Sequence, residues 1–368
     1  MNLDQKKMEK KESSLERDSE KGTLLDKTIK INFYDGKIVD IKRKDLSWFS
    51  SGSQSIVYTL ELENTDLVVK VFTTGITDNK DLFRRIKTIR KRIKRLESVP
   101  DSFKIRTIPV GQGYIYAENL EEDFEGEDRY FPFLVFNFVD GITLEDYLRN
   151  DDSICSEKRC KALESLRDIL CAIERLGLIH CDLYPENFLV DKEGTLYLID
   201  LESGGILQFE KDKPMEKWIH LPLVKGRKGY FCFPPEATDG NFFHFDKWNA
   251  LYLVFLTLFK QHPLSFMRRI DHVALAELKK VTKHKKNEWP PVIKNKDKIE
   301  LYLYEKNSEY DIESLRSTIN DYLGKTYSQF SEILIKMYII GLNRIDSRPS
   351  FCNDIKPIIM EIIKHARE

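Results

Sequence analysis

The sequence predicts an α+β protein with two lobes, a small strand-rich lobe followed by a larger helical one. Three observations lead to this prediction. Short apolar or alternating runs broken by turn residues dominate residues 29–72, runs with helical spacing dominate from about residue 140, and 368 residues are enough for two compact parts. A sheet with one helix, followed by a mostly helical region, is a common α+β plan.

The N-terminal region is typical of strands separated by turns. The runs TIKINFY, KIVDIK, SIVYTLEL and DLVVKVF are interrupted near Gly36 and Gly52. Residues 81–99 place apolar side chains at helical spacing, which predicts a helix with one apolar and one basic face. Strands are also expected near residues 103–117 and 132–139. We therefore expect a small five-stranded antiparallel sheet with one helix.

The region from about residue 140 is expected to be mostly helical. TLEDYL begins one helix with Thr143 as its N-cap, and a second helix ends at Gly177. The longest apolar run, residues 249–259, falls short of the roughly 20 residues that a bilayer requires and fits a buried core helix. Later helices are predicted at residues 246–260, 311–323, 328–341 and 353–367, and a polar excursion at 278–310.

Composition favours a folded cytoplasmic protein. Hydrophobic residues make up 41% of the chain and the net charge is −1, so the global charge favours neither nucleic acid nor acidic lipid as a partner. The six cysteines show no CxxC and no zinc-type spacing, which favours reduced thiols. Residues 1–27 are largely charged or polar, which predicts a disordered tail without a signal-peptide core and without a membrane span.

The run LIHCDLYPENFLV, residues 178–190, concentrates reactive side chains. Asp182 and Asn187 follow a predicted helix, and TLYLID then places Asp200 at the end of a strand. Upstream, Lys70 is the single charge in the apolar strand LVVKVF, where it is costly unless it meets a negative group such as a phosphate. The small-residue turn in SSGSQSIVY, residues 50–58, offers backbone amides that can cover a phosphate. Transfer of the γ-phosphoryl group of ATP requires these parts.

In this order the motifs resemble the protein-kinase fold. HCDLYPENFLV resembles the HRDLKPENxL catalytic loop, IDLES stands where DFG lies, and VVK stands where the strand-three lysine lies. GRKGYFCFPPEA resembles the end of the activation segment, with Glu236 as its glutamate. Asp246 resembles the buried aspartate of the central large-lobe helix, and Arg348 resembles the late arginine that pairs with Glu236. The resemblance spans about residues 45–355 and suggests a divergent, bacterial Ser/Thr protein kinase.

The resemblance implies roles for individual residues and boundaries for the lobes. Asp182 and Lys70 are expected to be catalytic, and Asn187 and Asp200 to bind Mg²⁺ or Mn²⁺. ATP is expected to contact residues of the glycine loop, the neighbouring strands, the hinge and the base of the adenine pocket: Gly52, Ser53, Gln54, Val57, Val68, Lys70, Asn137, Val139 and Leu189. The expected parts are a tail (1–27), a small lobe (28–137), a hinge (138–142) and a large lobe (143–368) with a polar insertion near 278–310.

Several residues depart from the family pattern. Tyr184 replaces the lysine that helps to neutralise the transferring phosphate, and Arg227 is expected to supply a cation in its place. Glu202 replaces the DFG glycine; it either adds a carboxylate near the metal or faces solvent, and the solvent-facing position is favoured. Cys181 replaces the arginine that reads a phosphate on the activation loop.

The expected activation segment also lacks the usual phosphorylation sites. Between Gly204 and Pro235 it contains no Ser or Thr, and Tyr230 belongs to the GY motif. The resemblance therefore predicts a kinase that is not switched by phosphorylation of this segment.

The predicted small-lobe helix lacks the glutamate that usually pairs with the strand-three lysine. No acid lies between residues 82 and 96, and Asp81 and Glu97 flank this stretch. Eight Lys or Arg residues fall within 84–95. A solvated face is favoured for them over a site for an acidic partner, nucleic acid or anionic lipid.

Three functions remain open. The favoured one is Mg·ATP-dependent phosphorylation of Ser or Thr in a protein substrate. The second is an atypical kinase of a small molecule or lipid-linked sugar, which the replacement at Tyr184 favours. The third is a nucleotide-binding pseudokinase scaffold, which is disfavoured because a scaffold does not need Asp182.

Overall fold

The computed structural model describes residues 28–52, 55–73, 79–95, 99–117, 120, 130–150, 157–210, 213–222, 243, 245–259 and 350–367. The strands in these ranges are β1 (Thr28–Phe33), β2 (Ile38–Lys42), β3 (Leu46–Ser51), β4 (Ser55–Leu62), β5 (Thr65–Phe72), β6 (Gly111–Tyr116), β7 (Tyr130–Asn137), β8 (Gly141–Thr143), β9 (Leu178–Ile179), β10 (Phe188–Asp191), β11 (Leu196–Leu198), β12 (Gly205–Glu210) and β13 (Lys213–His220). The α-helices are α1 (Asn79–Ile93), α2 (Leu144–Asn150), α3 (Glu157–Leu176), α4 (Phe245–Phe259) and α5 (Lys356–Arg367).

The chain divides into two compact units. Unit 1 comprises the residues up to Ile86 together with Ile108–Phe138, and unit 2 comprises Lys87–Thr107 together with Val139–Glu368. Helix α1 therefore contributes its first two turns to unit 1 and the remainder to unit 2. The lobe and hinge boundaries expected from the sequence stay predictions.

Unit 1 is organised by one antiparallel sheet of seven strands in the order β2-β1-β6-β7-β5-β4-β3. Strand β4 shows why its sequence forms a strand, since Ile56, Tyr58 and Leu60 alternate with less buried residues and face the core. Strands β5 and β7 are buried along most of their length because they lie at the centre of the sheet. The sheet has two more strands than the five expected. Part of the reason is that β3 is mostly exposed and lacks an apolar alternation.

Some predicted elements differ from those in the structure. Residues 103–117 do not form one strand, because a short π-helical segment, Phe103–Thr107, precedes β6. The predicted helix at 81–99 begins at Asn79 and ends at Ile93. The hairpin of β12 and β13 was not expected from the sequence, because β13 lies at the edge of its sheet and its side chains are mostly exposed.

Unit 2 is built around helix α3, which buries Leu163, Leu166 and Leu170 along one side. The helix ends at Leu176 and is followed by Gly177, whose φ of 58° is the left-handed conformation that commonly terminates helices. The described part of this unit also contains α2, α4, α5 and two three-stranded sheets, β11-β10-β8 and β13-β12-β9. Within the described ranges, no helix combines the length and apolar character needed to cross a membrane.

Several sequence predictions fall outside the described residues. They are the tail 1–27, the excursion 278–310, the helices at 311–323 and 328–341, and Ser53, Gln54, Arg227, Glu236 and Arg348.

Candidate active site

The segment between β9 and β10 brings Asp182 and Asn187 into direct contact. The Asn187 side-chain amide donates hydrogen bonds to the Asp182 carboxylate oxygen Oδ2 (2.9 Å) and to the Asp182 backbone carbonyl (2.7 Å). Both bonds use the amide nitrogen, so the amide oxygen is the atom of Asn187 that can serve a metal ion. The 3-10 turn Pro185–Asn187 produces this approach, since the Asn187 backbone amide donates to the Tyr184 carbonyl at 2.9 Å.

Asp246 of helix α4 holds the backbone of this loop. Its carboxylate accepts hydrogen bonds from the backbone amides of His180 and Cys181, at 2.5 and 2.9 Å. Burial raises the pKa of Asp246 to about 6, and the neighbouring His180 opposes the shift. The structure thus places Asp246 as a buried anchor directly beneath the segment that carries Asp182.

Two residues of the site have backbone conformations that L-amino acids rarely adopt. Cys181 has φ 64° and Asp200 has φ 66°. The other described non-glycine residues with positive φ, Glu63 and Asn64, lie in the turn between β4 and β5. Left-handed residues away from turns are costly and concentrate at functional sites, where the surrounding structure enforces them. Their positions, before Asp182 and at Asp200, mark this region as the candidate active site.

Asp200 is positioned by strand β11 and by contacts with the segment between β9 and β10. The Ile199 amide donates to the Asn187 carbonyl at 3.0 Å, and the His180 ring Nε2 donates to the Ile199 carbonyl at 2.8 Å. His180 is 1% exposed and therefore supports the loop from within, rather than facing the acceptor. Asp200 therefore comes directly after Ile199, whose backbone amide and carbonyl are both hydrogen-bonded to the segment that carries Asp182 and Asn187.

The donor set fits a magnesium ion bound together with a phosphate group. The Asp182 oxygen Oδ1 is buried and has no hydrogen-bond partner among the described residues. Within those residues, no cluster of three or more His, Cys, Asp or Glu side chains could hold a metal alone. Mg²⁺ characteristically takes one or two protein carboxylates and completes its shell with water and substrate phosphates. Asn187 and Asp200 would supply the protein ligands.

Glu202 is buried, which corrects the expectation that it faces solvent. The side chain is 3% exposed. Arg106 belongs to the π-helical segment beside β11, where Thr107 donates to the Leu198 carbonyl at 2.7 Å. Burial lowers the pKa of Arg106, and the charges of Asp200 and Glu202 oppose that shift. Glu202 can be buried because a guanidinium lies within electrostatic range of it.

Cys181 and Tyr184, the two residues of this segment that depart from the family pattern, are buried as well. Tyr184 is 3% exposed and Cys181 is fully buried. Burial raises the pKa of the Cys181 thiol well above its usual value, so the thiol is not a nucleophile. Tyr184 fills a core position.

In unit 1, residues expected at the nucleotide are neighbours in the sheet. Lys70 in β5 is paired with Val57 of β4 on one side and with Leu134 of β7 on the other. Its Nζ lies 5.4 Å from the centre of the Phe72 ring, and the side chain is half-buried. Val68 lies two residues before Lys70 and is buried, whereas Asn137 ends β7 opposite Leu67.

The remaining nucleotide residues belong to other segments. Gly52 follows β3 and is exposed, and its amide donates to the Ser55 carbonyl at 2.8 Å. In unit 2, Val139 precedes β8, and Leu189 in β10 pairs with Thr143 and Tyr197. Both are half-buried.

The basic helix α1 contains two arginines that the sequence interpretation missed. Arg85 and Arg92 are 3% and 7% exposed, so the buried side of the helix also carries basic residues. Arg92 donates to the carbonyls of Leu176 at 2.6 Å, Gly177 at 3.2 Å and Leu207. A signal for them exists in the sequence, because both follow the 3.6-residue spacing of the apolar positions.

Arg92 therefore links helix α1 to two elements next to the site. Leu176 and Gly177 end helix α3, just before the catalytic loop, and Leu207 lies in β12, just after Asp200 and Glu202. The guanidinium also lies 4.2 Å above the Phe209 ring. Burial lowers the pKa of Arg92 to about 10, so the group stays charged at neutral pH.

Asp81, one of the two acids that flank the helix, is engaged by arginine. Its carboxylate accepts a hydrogen bond from Arg85 Nε at 2.6 Å, and Arg84 lies 3.9 Å away. The exposed cations of the helix are Arg84, Lys87 and Lys91, and the turn that follows it adds the exposed Lys94 and Arg95. Glu97 lies outside the described residues.

Comparison with protein families connects this site to kinases. Residues 103–219 match the model of the lipopolysaccharide kinase (Kdo/WaaP) family. The matched range contains the segment of Asp182 and Asn187, Asp200 and the hairpin of β12 and β13.

Individual relatives are named as serine/threonine-protein kinases. One from Corynebacterium efficiens is 25% identical over 199 residues, which cover 53% of this chain and 34% of that protein. A probable serine/threonine-protein kinase from Clostridium perfringens is 26% identical over 216 residues, covering 56% of this chain and 27% of that protein. The kinase PknL of Mycobacterium tuberculosis is 33% identical over 117 residues, covering 32% of this chain and 28% of that protein. The chain thus matches about a third or less of the length of these relatives.

Among solved structures, the ROP18 kinase domain in complex with AMP-PNP and sucrose resembles the chain with a TM-score of 0.53. The match covers 93% of this chain and 86% of that one, at 14% sequence identity. This likeness confirms the predicted α+β kinase-like fold.

Proposed function

Because the chain is a divergent member of the protein-kinase-like superfamily, we propose that it transfers the γ-phosphoryl group of ATP to a Ser or Thr hydroxyl of a protein substrate. The observation that carries the proposal is the Asp182–Asn187 pair, held from below by Asp246 and followed by Asp200 in a left-handed conformation. Phosphoryl transfer requires a carboxylate that orients the acceptor hydroxyl and oxygen ligands that bind the metal ion, and these three side chains can supply both.

Each residue has a defined role in this mechanism. Asp182 orients the acceptor hydroxyl and accepts its proton, and its buried Oδ1, which lacks a described partner, is the oxygen available for that bond. Bound Mg²⁺ would neutralise charge on the transferring phosphoryl group. The Asn187 amide oxygen and the Asp200 carboxylate would hold the ion, and Lys70 would bind phosphate oxygens.

The proposed enzyme does not require phosphorylation of its activation segment. Cys181 occupies the position of the phosphate-reading arginine and is buried, with its backbone amide bound to Asp246. In the described part of the segment, β12 and β13 are paired with each other and carry no Ser, Thr or Tyr. We therefore expect the protein to be active without prior phosphorylation of this segment.

A second candidate function is phosphorylation of a sugar or other small molecule. The family match over residues 103–219 favours it, because that family is described as a lipopolysaccharide kinase family. The buried Tyr184 favours it as well, since no lysine stands two residues after Asp182. A nucleotide-binding scaffold is the least supported, because it needs neither Asp182 nor its anchor Asp246.

Labelled ATP separates the three functions. The purified chain is incubated with Mg²⁺ and γ-labelled ATP, in one arm with basic and acidic model proteins and in the other with lipopolysaccharide-type sugars. Label recovered as phosphoserine or phosphothreonine supports the protein kinase, and label found in the sugar arm alone supports the second function. Nucleotide binding without transfer to any acceptor, including the chain itself, would overturn both.

A further inference from the structure

Two cysteines that are distant in sequence meet in unit 2. Cys171 lies in helix α3, and Cys352 lies in the π-helical segment Phe351–Ile355 that precedes α5. The Cys352 Sγ is 3.7 Å from the Cys171 backbone carbonyl oxygen. Both residues are free thiols.

Cys352 is fixed against the face of α3 that carries Cys171. Its backbone amide donates to the Glu174 carboxylate at 2.9 Å, and the Ser350 hydroxyl donates to the same oxygen at 2.9 Å. Glu174 is three residues after Cys171, so the two side chains share one face of the helix. The Cys352 sulfur is therefore held near Cys171 by bonds that do not involve either thiol.

From this geometry we propose that Cys171 and Cys352 form a redox modification site, in which hydrogen peroxide converts the two thiols into a reversible disulfide between α3 and the segment preceding α5. An S–S bond of about 2.05 Å requires sulfurs that already approach each other in the fold. The Cys352 sulfur lies 3.7 Å from the backbone carbonyl oxygen of Cys171, so it already contacts the residue with which it would pair. In a reducing compartment such a bond would be transient, as redox-sensing disulfides are.

The surroundings assign different roles to the two sulfurs. Cys352 is half-buried and can be reached by a small oxidant, whereas Cys171 is 6% exposed. A hydrogen bond between the two thiols lowers the pKa of Cys352 and raises that of Cys171. Cys352 is therefore the thiolate that reacts first.

The chemistry balances with one peroxide molecule. The Cys352 thiolate attacks one peroxide oxygen, so that an S–O bond forms, the O–O bond breaks and hydroxide leaves as water. The Cys171 sulfur then attacks the Cys352 sulfenic acid, the S–S bond forms, and the second water leaves with the Cys171 proton. Both thiols are oxidised, the two peroxide oxygens are reduced to water, and a dithiol reductant reverses the reaction.

The test uses the full-length chain and mass spectrometry. Wild type, Cys352→Ser, Cys171→Ser and the control Cys160→Ser are treated with hydrogen peroxide, alkylated and digested without reduction. Cys160 lies on the same helix and is buried. We expect a Cys171–Cys352 cross-linked peptide in wild type and in Cys160→Ser, and a dimedone-trapped sulfenic acid at Cys352 in Cys171→Ser. Cys352 should react at least ~10-fold faster than Cys160.

Thermal unfolding provides a second readout. The bond would close a segment in which the two cysteines are 181 positions apart, and we expect peroxide to raise the Tm by about 5–10 °C in wild type and Cys160→Ser, but not in Cys352→Ser. Reduction should return the Tm to its starting value. Conversion of Cys352 to sulfinic acid in wild type, a cross-link to a different cysteine, or no faster reaction than at Cys160 would overturn the proposal.

Discussion

Replacing Arg92 with alanine should destabilise the end of helix α3 and strand β12 together. The guanidinium donates to the carbonyls of Leu176, Gly177 and Leu207 and covers the Phe209 ring at 4.2 Å. The Gly177 carbonyl also accepts from the Leu207 amide at 2.8 Å, so it retains a partner. The Leu176 and Leu207 carbonyls lose a charged donor.

The magnitude follows from these contacts. A buried group left without a charged hydrogen-bond partner costs about 1–3 kcal/mol, and a desolvated cation–π contact contributes about 0.5–2 kcal/mol. Relief of the buried charge offsets part of the loss. We expect a net loss of about 3 kcal/mol in the free energy of unfolding, which corresponds to a Tm lower by about 6–12 °C.

Calorimetry and amide hydrogen exchange measure the effect. Arg92→Lys should recover less than half of the lost stability, because a lysine ammonium cannot reach three carbonyls with the guanidinium fork. Lys91→Ala, at the exposed neighbouring position, is the control and should change unfolding by less than about 0.5 kcal/mol. The reasoning is refuted if Arg92→Ala matches Lys91→Ala, or if exchange at β12 does not accelerate.

Three further predictions concern stability. Burial raises the pKa of Asp246 to about 6, so its favourable contribution to stability is fully present below the pKa of an unfolded Asp and is lost as pH rises through 6. Wild type should therefore lose about 3 kcal/mol relative to Asp246→Asn between pH 3 and pH 7 in urea unfolding, and a gain would contradict this. Gly205→Ala should cost about 1–3 kcal/mol, because a Cβ there would lie 2.3 Å from the Trp218 ring; equal stability of Gly205→Ala and wild type by calorimetry would exclude this clash. Glu202→Gln and Arg106→Met, combined in a double-mutant cycle of denaturant unfolding, should show a coupling of about 1 kcal/mol, and strict additivity would mean that the two charges do not interact.

The contact between Asp182 and Asn187 could be expected from the sequence because the two residues are close along the chain, and their catalytic role stays a prediction. Asp182 and Asn187 are five residues apart, and a short turn suffices to join them. The helical spacing of α3 and the alternation in β4 are local patterns too, and both elements formed as expected.

Features that depend on distant contacts were not predictable in the same way. A run of eight cations is ordinarily solvated, and only the carbonyls of Leu176 and Leu207, far along the chain, make burial of Arg92 favourable. Burial of Glu202 likewise depends on Arg106, which lies nearly a hundred residues earlier. The sequence of strand β13 does not alternate between apolar and polar residues, because an edge strand has only one strand neighbour and is largely exposed.

The most direct test of the account compares nucleotide binding and phosphoryl transfer in Asp182→Asn. Binding of Mg·ATP is measured by calorimetry and transfer by γ-labelled ATP, with Asp101→Asn at an exposed position as the control. We predict that Asp182→Asn loses transfer by about 100-fold or more while its affinity for Mg·ATP stays within about threefold, and that Asp101→Asn behaves as wild type. Transfer that survives in Asp182→Asn, or wild-type protein that binds Mg·ATP and transfers no phosphate, would contradict the account.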